Sequence, residues 1–195
     1  MDFAKLKKNL ELRKFAVSHF KTANDAAEYL AKEIKGETVG IGGSITVKEL
    51  GVYELLEKNN KMLWHWVDPS AREGMKNSTV FLTSANAISE TGEIINIDGG
   101  GNRVACSIYG PKKVYFVVGI NKVCPDLDSA IFRARNVASP MNAKRLNVKT
   151  SCVVDGRCHD CLSPERICGV MAIHMRPMIN AERTEVVLID EKLGY

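Results

Sequence analysis

A chain of 195 residues, 45% apolar and 26% charged, can bury one substantial core and has the balance of a single globular domain rather than a disordered or fibrous protein. No apolar run approaches membrane-spanning length, and the charged start Met1-Asp2-Phe3-Ala4-Lys5 lacks a signal-peptide core, so a cytoplasmic protein with no membrane span is expected. The formal charge of +4 is mild, and the basic pairs Lys112-Lys113 and Lys144-Arg145 are not interleaved with aromatics. That argues against nucleic acid and fits a small anionic metabolite better.

Residues 2–19 predict an amphipathic helix on Phe3, Leu6, Leu10 and Val17. A second helix over 23–35 places Ala26, Leu30 and Ile34 on one face, with Gly36 as a left-handed stop. This N-terminal helical pair, residues 1–36, could cover the core or form a homodimer contact. Thr38–Ile41 reads as a buried strand leading into Gly42-Gly43-Ser44-Ile45-Thr46. Thr46 and Glu49 have capping-box spacing, with Ile45 and Leu50 as a staple. A strand, a glycine turn and a capped helix form a generic anion-binding arrangement, with Gly42, Gly43, Ser44 and Thr46 as its contacts. Glu49 is either the cap or a general base.

Met62–Val67 is the next predicted strand, with Trp64 and Trp66 directed to the core and His65 opposite as a structural histidine. A short helix over 70–76 and a buried strand over 79–83 follow. Ser84–Ser89 and Glu93–Asp98 flank a Thr91-Gly92 turn and read as a hairpin. It ends in Asp98-Gly99-Gly100-Gly101-Asn102-Arg103, a second candidate ligand loop in which Arg103 could grip a carboxylate or phosphate in bidentate fashion. The alternative is a flexible turn with Arg103 on the surface. The loop is not a dinucleotide fingerprint. A short helix over 104–109, a strand over 114–119, a helix from Pro125 with Leu127, Ile131, Ala134 and Ala138 inside, and a helix opened by Ser139-Pro140 complete the central part. Residues 186–190 form the last strand. Strands alternating with helices imply an α/β fold with a mostly parallel central sheet flanked by helices and one inserted hairpin. Ligands in such sheets bind beyond the carboxyl ends of the strands, so the two glycine loops could meet in one crevice.

Four of the six cysteines fall in one stretch, residues 151–172, with the spacing C-x5-C-x2-C-x6-C: Cys152, Cys158, Cys161 and Cys168. Asp155-Gly156 can turn Cys152 back toward Cys158, and Ser163-Pro164 predicts the start of a helix that would carry Cys168. Thiolates at this density suit an iron–sulfur cluster, 4Fe-4S first, with zinc as the runner-up. Disulfides or unconnected buried thiols are the bland alternatives. His159 could replace one thiolate in a zinc site. Cys106 and Cys124 read as buried, apolar-like thiols.

The segments Gly42–Glu49, Phe81–Ile88, Asn96–Val104, Tyr109–Val114, Val118–Lys122, Arg135–Leu146 and Leu188–Tyr195, with the cysteine stretch, resemble the lactate utilisation (LUD) domain family. The resemblance implies a fold like that of ribose-phosphate isomerases, glucosamine-phosphate deaminases and CoA-transferases. It also implies a place in complexes that oxidise L-lactate to pyruvate with iron–sulfur proteins. Family members often have Thr where this chain has Gly100, and larger relatives carry ferredoxin-type cysteine repeats that are missing here. Three functions are weighed on that basis. The first is a redox component that binds a small carboxylate such as lactate and needs a redox protein partner. The second is an isomerase or transferase acting on a phosphorylated or acyl substrate through Glu49, Asp98 or Lys144, with a structural metal. The third is a non-catalytic ligand-binding module. The anion-binding set is Gly42, Gly43, Ser44, Thr46, Asn86, Gly99, Gly101, Asn102 and Arg103.

Overall fold

The structure is a computed structural model describing residues 3–195; Met1 and Asp2, at the start of the predicted helical pair, lie outside the described residues. Ten strands form two sheets: β1 (Ala16–Phe20), β2 (Thr38–Ile41), β3 (Lys61–Trp64), β4 (Val80–Ser84), β5 (Ala87–Ser89), β6 (Ile94–Asp98), β7 (Lys113–Gly119), β8 (Val123–Cys124), β9 (Val170–His174) and β10 (Arg183–Ile189). The central sheet has six strands in the order β1-β10-β7-β4-β2-β3, and every pair in it is parallel. The chain is therefore α/β with a parallel sheet flanked by helices.

The period-2 alternation of the central strands builds a core on each face of this sheet. Leu82, Tyr115, Val117, Val187 and Ile189 pack under the helix Ala23–Glu33 and the helix Ile45–Leu50. Phe81, Val114, Phe116, Val118, Val186 and Leu188 pack on the other face, against Leu6 and Leu10 of the helix Phe3–Leu12.

The predicted N-terminal helical pair is interrupted. The first helix stops at Leu12, Lys14 takes a left-handed φ of 74°, and Ala16–Phe20 joins the sheet as an edge strand beside β10. The run from Phe15 to Phe20 is rich in aromatic and β-branched side chains, and strand pairing outweighs the helical spacing of Val17.

The hairpin forms as predicted, with β5 and β6 antiparallel. It does not join the central sheet. It lies in a second sheet of four strands, β8-β5-β6-β9. Strand β9 has no counterpart among the predicted elements. Its register sets Asp98 opposite Val170, which brings the second glycine loop against the end of the cysteine stretch. The predicted helix at Ser163-Pro164 does not form, and residues 156–169 are irregular.

The segment Leu127–Leu146 is helical throughout, but residues Ala134–Ala138 form a π turn between α-helical halves. Wide turns of this kind re-aim the side chains they carry and recur at functional sites.

Candidate functional site

A cavity of about 370 Å³ opens beyond the carboxyl ends of β2, β3, β4 and β7, where open parallel sheets bind ligands. Gly43 and Ser44 follow β2, His65 and Trp66 follow β3, Ala85 and Asn86 follow β4, and Lys122 follows β7. The loop after β6 supplies Asp98, Gly99, Gly100, Asn102 and Arg103, and the helix Ser139–Leu146 supplies Asn142 and Arg145.

Lys122 forms the floor. It is 3% exposed, and its ammonium donates to Thr46 Oγ1 at 2.6 Å, Ser84 Oγ at 2.9 Å and the Ala85 carbonyl at 3.0 Å. All three acceptors are neutral. Burial, with Arg133 and Arg103 nearby, pushes its pKa down to about 7, against a weak opposing pull from Glu49. Arg103 lies over Gly42, where an added Cβ would come within 2.8 Å of Arg103 Cγ. Its guanidinium donates to Asn96 Oδ1 at 3.4 Å and to the Ile97 carbonyl. Burial lowers its pKa while Asp98 opposes. Arg145 sits 5.3 Å from the ring centroid of Trp66. His65 is held below the usual histidine pKa, first by burial and then by Arg72.

The four clustered cysteines line a second, smaller cavity together with Arg135, Ser139, Thr150 and Arg166. The helix Ser151–Asp155, stopped by Gly156 at φ 76°, carries Cys152, and Thr150 Oγ1 lies 3.3 Å from its sulfur. The π turn holds Cys158 twice: Arg135 Nη2 donates to Cys158 Sγ at 3.6 Å, and Asn136 Oδ1 accepts from the Cys158 N–H at 3.2 Å. Arg166 ties the rest, donating to the carbonyls of Cys161 at 2.8 Å and Cys168 at 2.9 Å and to Asp160 Oδ1 at 2.9 Å. Burial raises the Cys168 thiol; Ser139 opposes this, and thiolates at Cys158 and Cys152 add to it. Among the described residues, no three His, Cys, Asp or Glu side chains converge as single-ion ligands do. His159 is engaged with Asp155, Nε2 to Oδ2 at 2.8 Å.

The two cavities share a wall. Ser139, Arg166, Ile167 and Cys168 line both. The contact is tight: the Gly169 N–H donates to the Asp98 carbonyl at 2.9 Å, and a Cβ on Gly99 would come within 2.5 Å of the Ile167 carbonyl oxygen.

With this geometry in hand, comparison with known proteins is informative. The sequence matches the LUD domain family over residues 3–189. The chain belongs to that family. No curated protein matches it. Among solved structures, it resembles a DUF162 family protein from Deinococcus radiodurans, with a TM-score of 0.57 and 14% identity over 96% of this chain and 95% of that one. It also aligns with ribose 5 phosphate isomerase A from Neisseria gonorrhoeae, at a TM-score of 0.38 and 16% identity over 54% of each chain. LUD membership suggests a role related to lactate utilisation.

The LUD domain gathers most of the predicted anion-binding residues in one cavity. Ser44, Thr46, Asn86, Gly99, Asn102, Arg103, Gly43 and Asp98 line it; Gly42 lies beneath Arg103, and Gly101 is the left-handed residue before the helix Asn102–Ile108. Several roles shift. Ser44, not Thr46, caps the helix Ile45–Leu50, its hydroxyl accepting from the Val47 N–H at 3.2 Å; the N-cap lies two residues before the predicted one, and with Val47 at the third helical position the predicted capping box does not form. Glu49 is exposed outside the cavity and accepts from the Gly194 N–H at 2.6 Å. Both N–H groups of Arg103 and Val104 donate to Asp98 Oδ2, at 2.9 and 3.1 Å, so this carboxylate caps the helix that follows. Lys144 is exposed and outside the cavity; its neighbour Arg145 lines it. Strand β3 ends at Trp64, and a turn then sends both His65 and Trp66 to the cavity rather than splitting them between faces. Lys122 was missed. The only signal in sequence is a charged residue three positions after the most apolar strand, where a lysine must either reach a ligand or be buried.

Proposed function

We propose that this LUD domain is an iron–sulfur redox component whose cluster, held by Cys152, Cys158, Cys161 and Cys168, borders a crevice that binds a small carboxylate such as lactate. One observation carries the reading: Cys168 and Ser139 line both cavities. A cluster ligated by Cys168 therefore lies against whatever fills the crevice. Four thiols spread around a cavity suit a cuboidal cluster better than a single zinc ion, which draws its ligands to one point about 2.3 Å away. The cluster supplies one-electron acceptance. The residues of the chain do the rest: Lys122 and Arg103 receive a carboxylate, Asn102 offers a buried Nδ2 with no hydrogen-bond partner, and His65, whose pKa burial and Arg72 lower, accepts a proton. Oxidising lactate to pyruvate releases two electrons and two protons; a cluster there would hold one electron at a time, so a redox protein partner must draw off the first before the second is taken, with one proton going to His65 and the other to solvent.

A second reading is favoured by Lys122. An amine with a pKa of about 7 is suited to proton transfer, which supports an isomerase- or transferase-type reaction on a phosphorylated or acyl substrate beside a structural metal. One experiment separates the two. The protein is purified without oxygen, iron, sulfide and zinc are measured, and the electron paramagnetic resonance spectrum of the reduced protein is recorded with and without L-lactate. Matched iron and sulfide, lost in Cys158→Ser, with a spectrum perturbed by lactate, are expected. Stoichiometric zinc without sulfide overturns the cluster.

A further inference from the structure

The crevice is more cationic than a lactate site requires. Five basic side chains line it, Arg72, Arg103, Lys122, Arg145 and Arg166, against one side-chain carboxylate, Asp98. That excess equals the formal charge of the whole chain, +4. Asp98 is already engaged by two backbone N–H groups. Among the described residues, only Arg166 of the five forms an ion pair, with Asp160. Arg72, Arg103, Lys122 and Arg145 have no carboxylate partner in salt-bridge range, and Lys122 is buried in that state. The fold satisfies the Lys122 nitrogen with hydrogen bonds but supplies no opposite charge to it, so an anion at the floor would find none already in place.

The charges also fall at two depths. Lys122 and the partly buried Arg103 lie at the floor, whereas Arg72 and Arg145 are exposed at the rim. A monoanion seated on the floor leaves the rim arginines unmatched. The cavity, at about 370 Å³, also falls within the size range of sites that enclose ligands much larger than lactate. We infer that the natural ligand of this crevice carries at least two anionic groups, one seated at Lys122 and Arg103 and the other at Arg72 and Arg145: a phosphate ester or second carboxylate on a hydroxy-acid skeleton. This deepens the small-carboxylate reading above and rests on its crevice, but not on its cluster.

The test is titration calorimetry on the full chain, purified without oxygen, with three matched probes: L-lactate, L-malate and 2-phospho-L-lactate. Malate adds a carboxylate to the lactate skeleton, and phospholactate adds a phosphate. At least one dianion should bind about tenfold or more tightly than lactate, a preference that weakens with added salt. The stronger of the two identifies the second group. Arg72→Gln and Arg145→Gln change exposed side chains and should leave the fold intact; each should weaken dianion binding by a larger factor than lactate binding, and so reduce the preference. Lactate binding as tightly as both dianions overturns the inference and leaves the small-carboxylate reading standing. A preference that survives unchanged in both variants overturns the two-depth arrangement. Failure of all three probes to bind sinks the crevice itself. The iron and sulfide analysis reports on the cluster independently.

Discussion

The crevice and the cysteine pocket share Cys168 and Ser139, yet they are held in different ways. The crevice hangs from the ends of a six-stranded parallel sheet, and its floor is tied by buried bonds that reach across the chain: Lys122 to Thr46 and Ser84, Ser84 Oγ to the Val117 carbonyl at 2.6 Å, and Asn86 Oδ1 to the Ile97 N–H at 2.7 Å. The cysteine pocket is largely irregular chain. Its bonds run from partly exposed arginines to nearby carbonyls, and Asp160, which pairs with both Arg135 and Arg166, is 68% exposed. Buried bonds in a low dielectric hold geometry; exposed ones hold little. The fold thus pre-forms the crevice, whereas the cysteine segment has few buried bonds of its own to fix its shape.

The sharpest way to break that contrast is Lys122→Met. It strips the ammonium from three acceptors at the floor, and stability should fall by about 2–4 kcal/mol in denaturant titration. A loss as small as that of a surface variant would mean the floor is not pre-formed. Gly99→Ala attacks the shared wall, since its Cβ meets the Ile167 carbonyl. A cost of about 1–3 kcal/mol is expected, with faster alkylation of Cys168 in the metal-free protein as the cysteine segment lifts away.

A milder probe is pH. His174 is buried on β9, the strand that anchors the end of the cysteine segment, and burial holds its pKa below the ordinary 6.5. As pH falls below about 6.5 the unfolded chain takes up a proton that the folded one resists, so stability present above that value declines on acidification. His174→Gln should flatten the decline, measured as melting temperature between mildly acidic and neutral pH. The smallest effect is expected for Arg135→Leu. Removing the guanidinium that donates to Cys158 should leave the melting temperature nearly unchanged and, where anaerobic preparation yields the proposed cluster, shift its reduction potential to more negative values.

Sequence legibility followed the same division. Strands β2, β4, β7 and β10 were readable because each is a short run of apolar residues buried on both faces. The glycine loops were readable because close backbone approach leaves a compositional trace. Strand β1 was hidden by residues that also fit a helical period, and β9 by its exposed Val170 and Met171, which lack the alternation of a half-buried strand. The convergence of the two loops on Lys122, and the choice of Arg145 over Lys144, are set by tertiary direction rather than by local pattern. The four cysteines were legible as a group, but their attachment to the crevice was not, because it depends on the register of β6 with β9.

The π turn at Ala134–Ala138 has a consequence for how this family can vary. A π turn holds one residue more than an α-helix of the same rise. Excising a single residue there would restore uninterrupted α-helical winding with little change of rise or rotation, whereas excising one from the α-helical turns before it would swing everything downstream by roughly 100° about the helix axis. In the second case Asn142 and Arg145 would turn away from the crevice and Ser139 from Cys168, and the buried Ala138 and Ala143 would leave their places in the core. The π turn is thus a place where this helix can lose a residue and keep both cavities aligned, so helix length at this point is a character to track across relatives with and without the four cysteines.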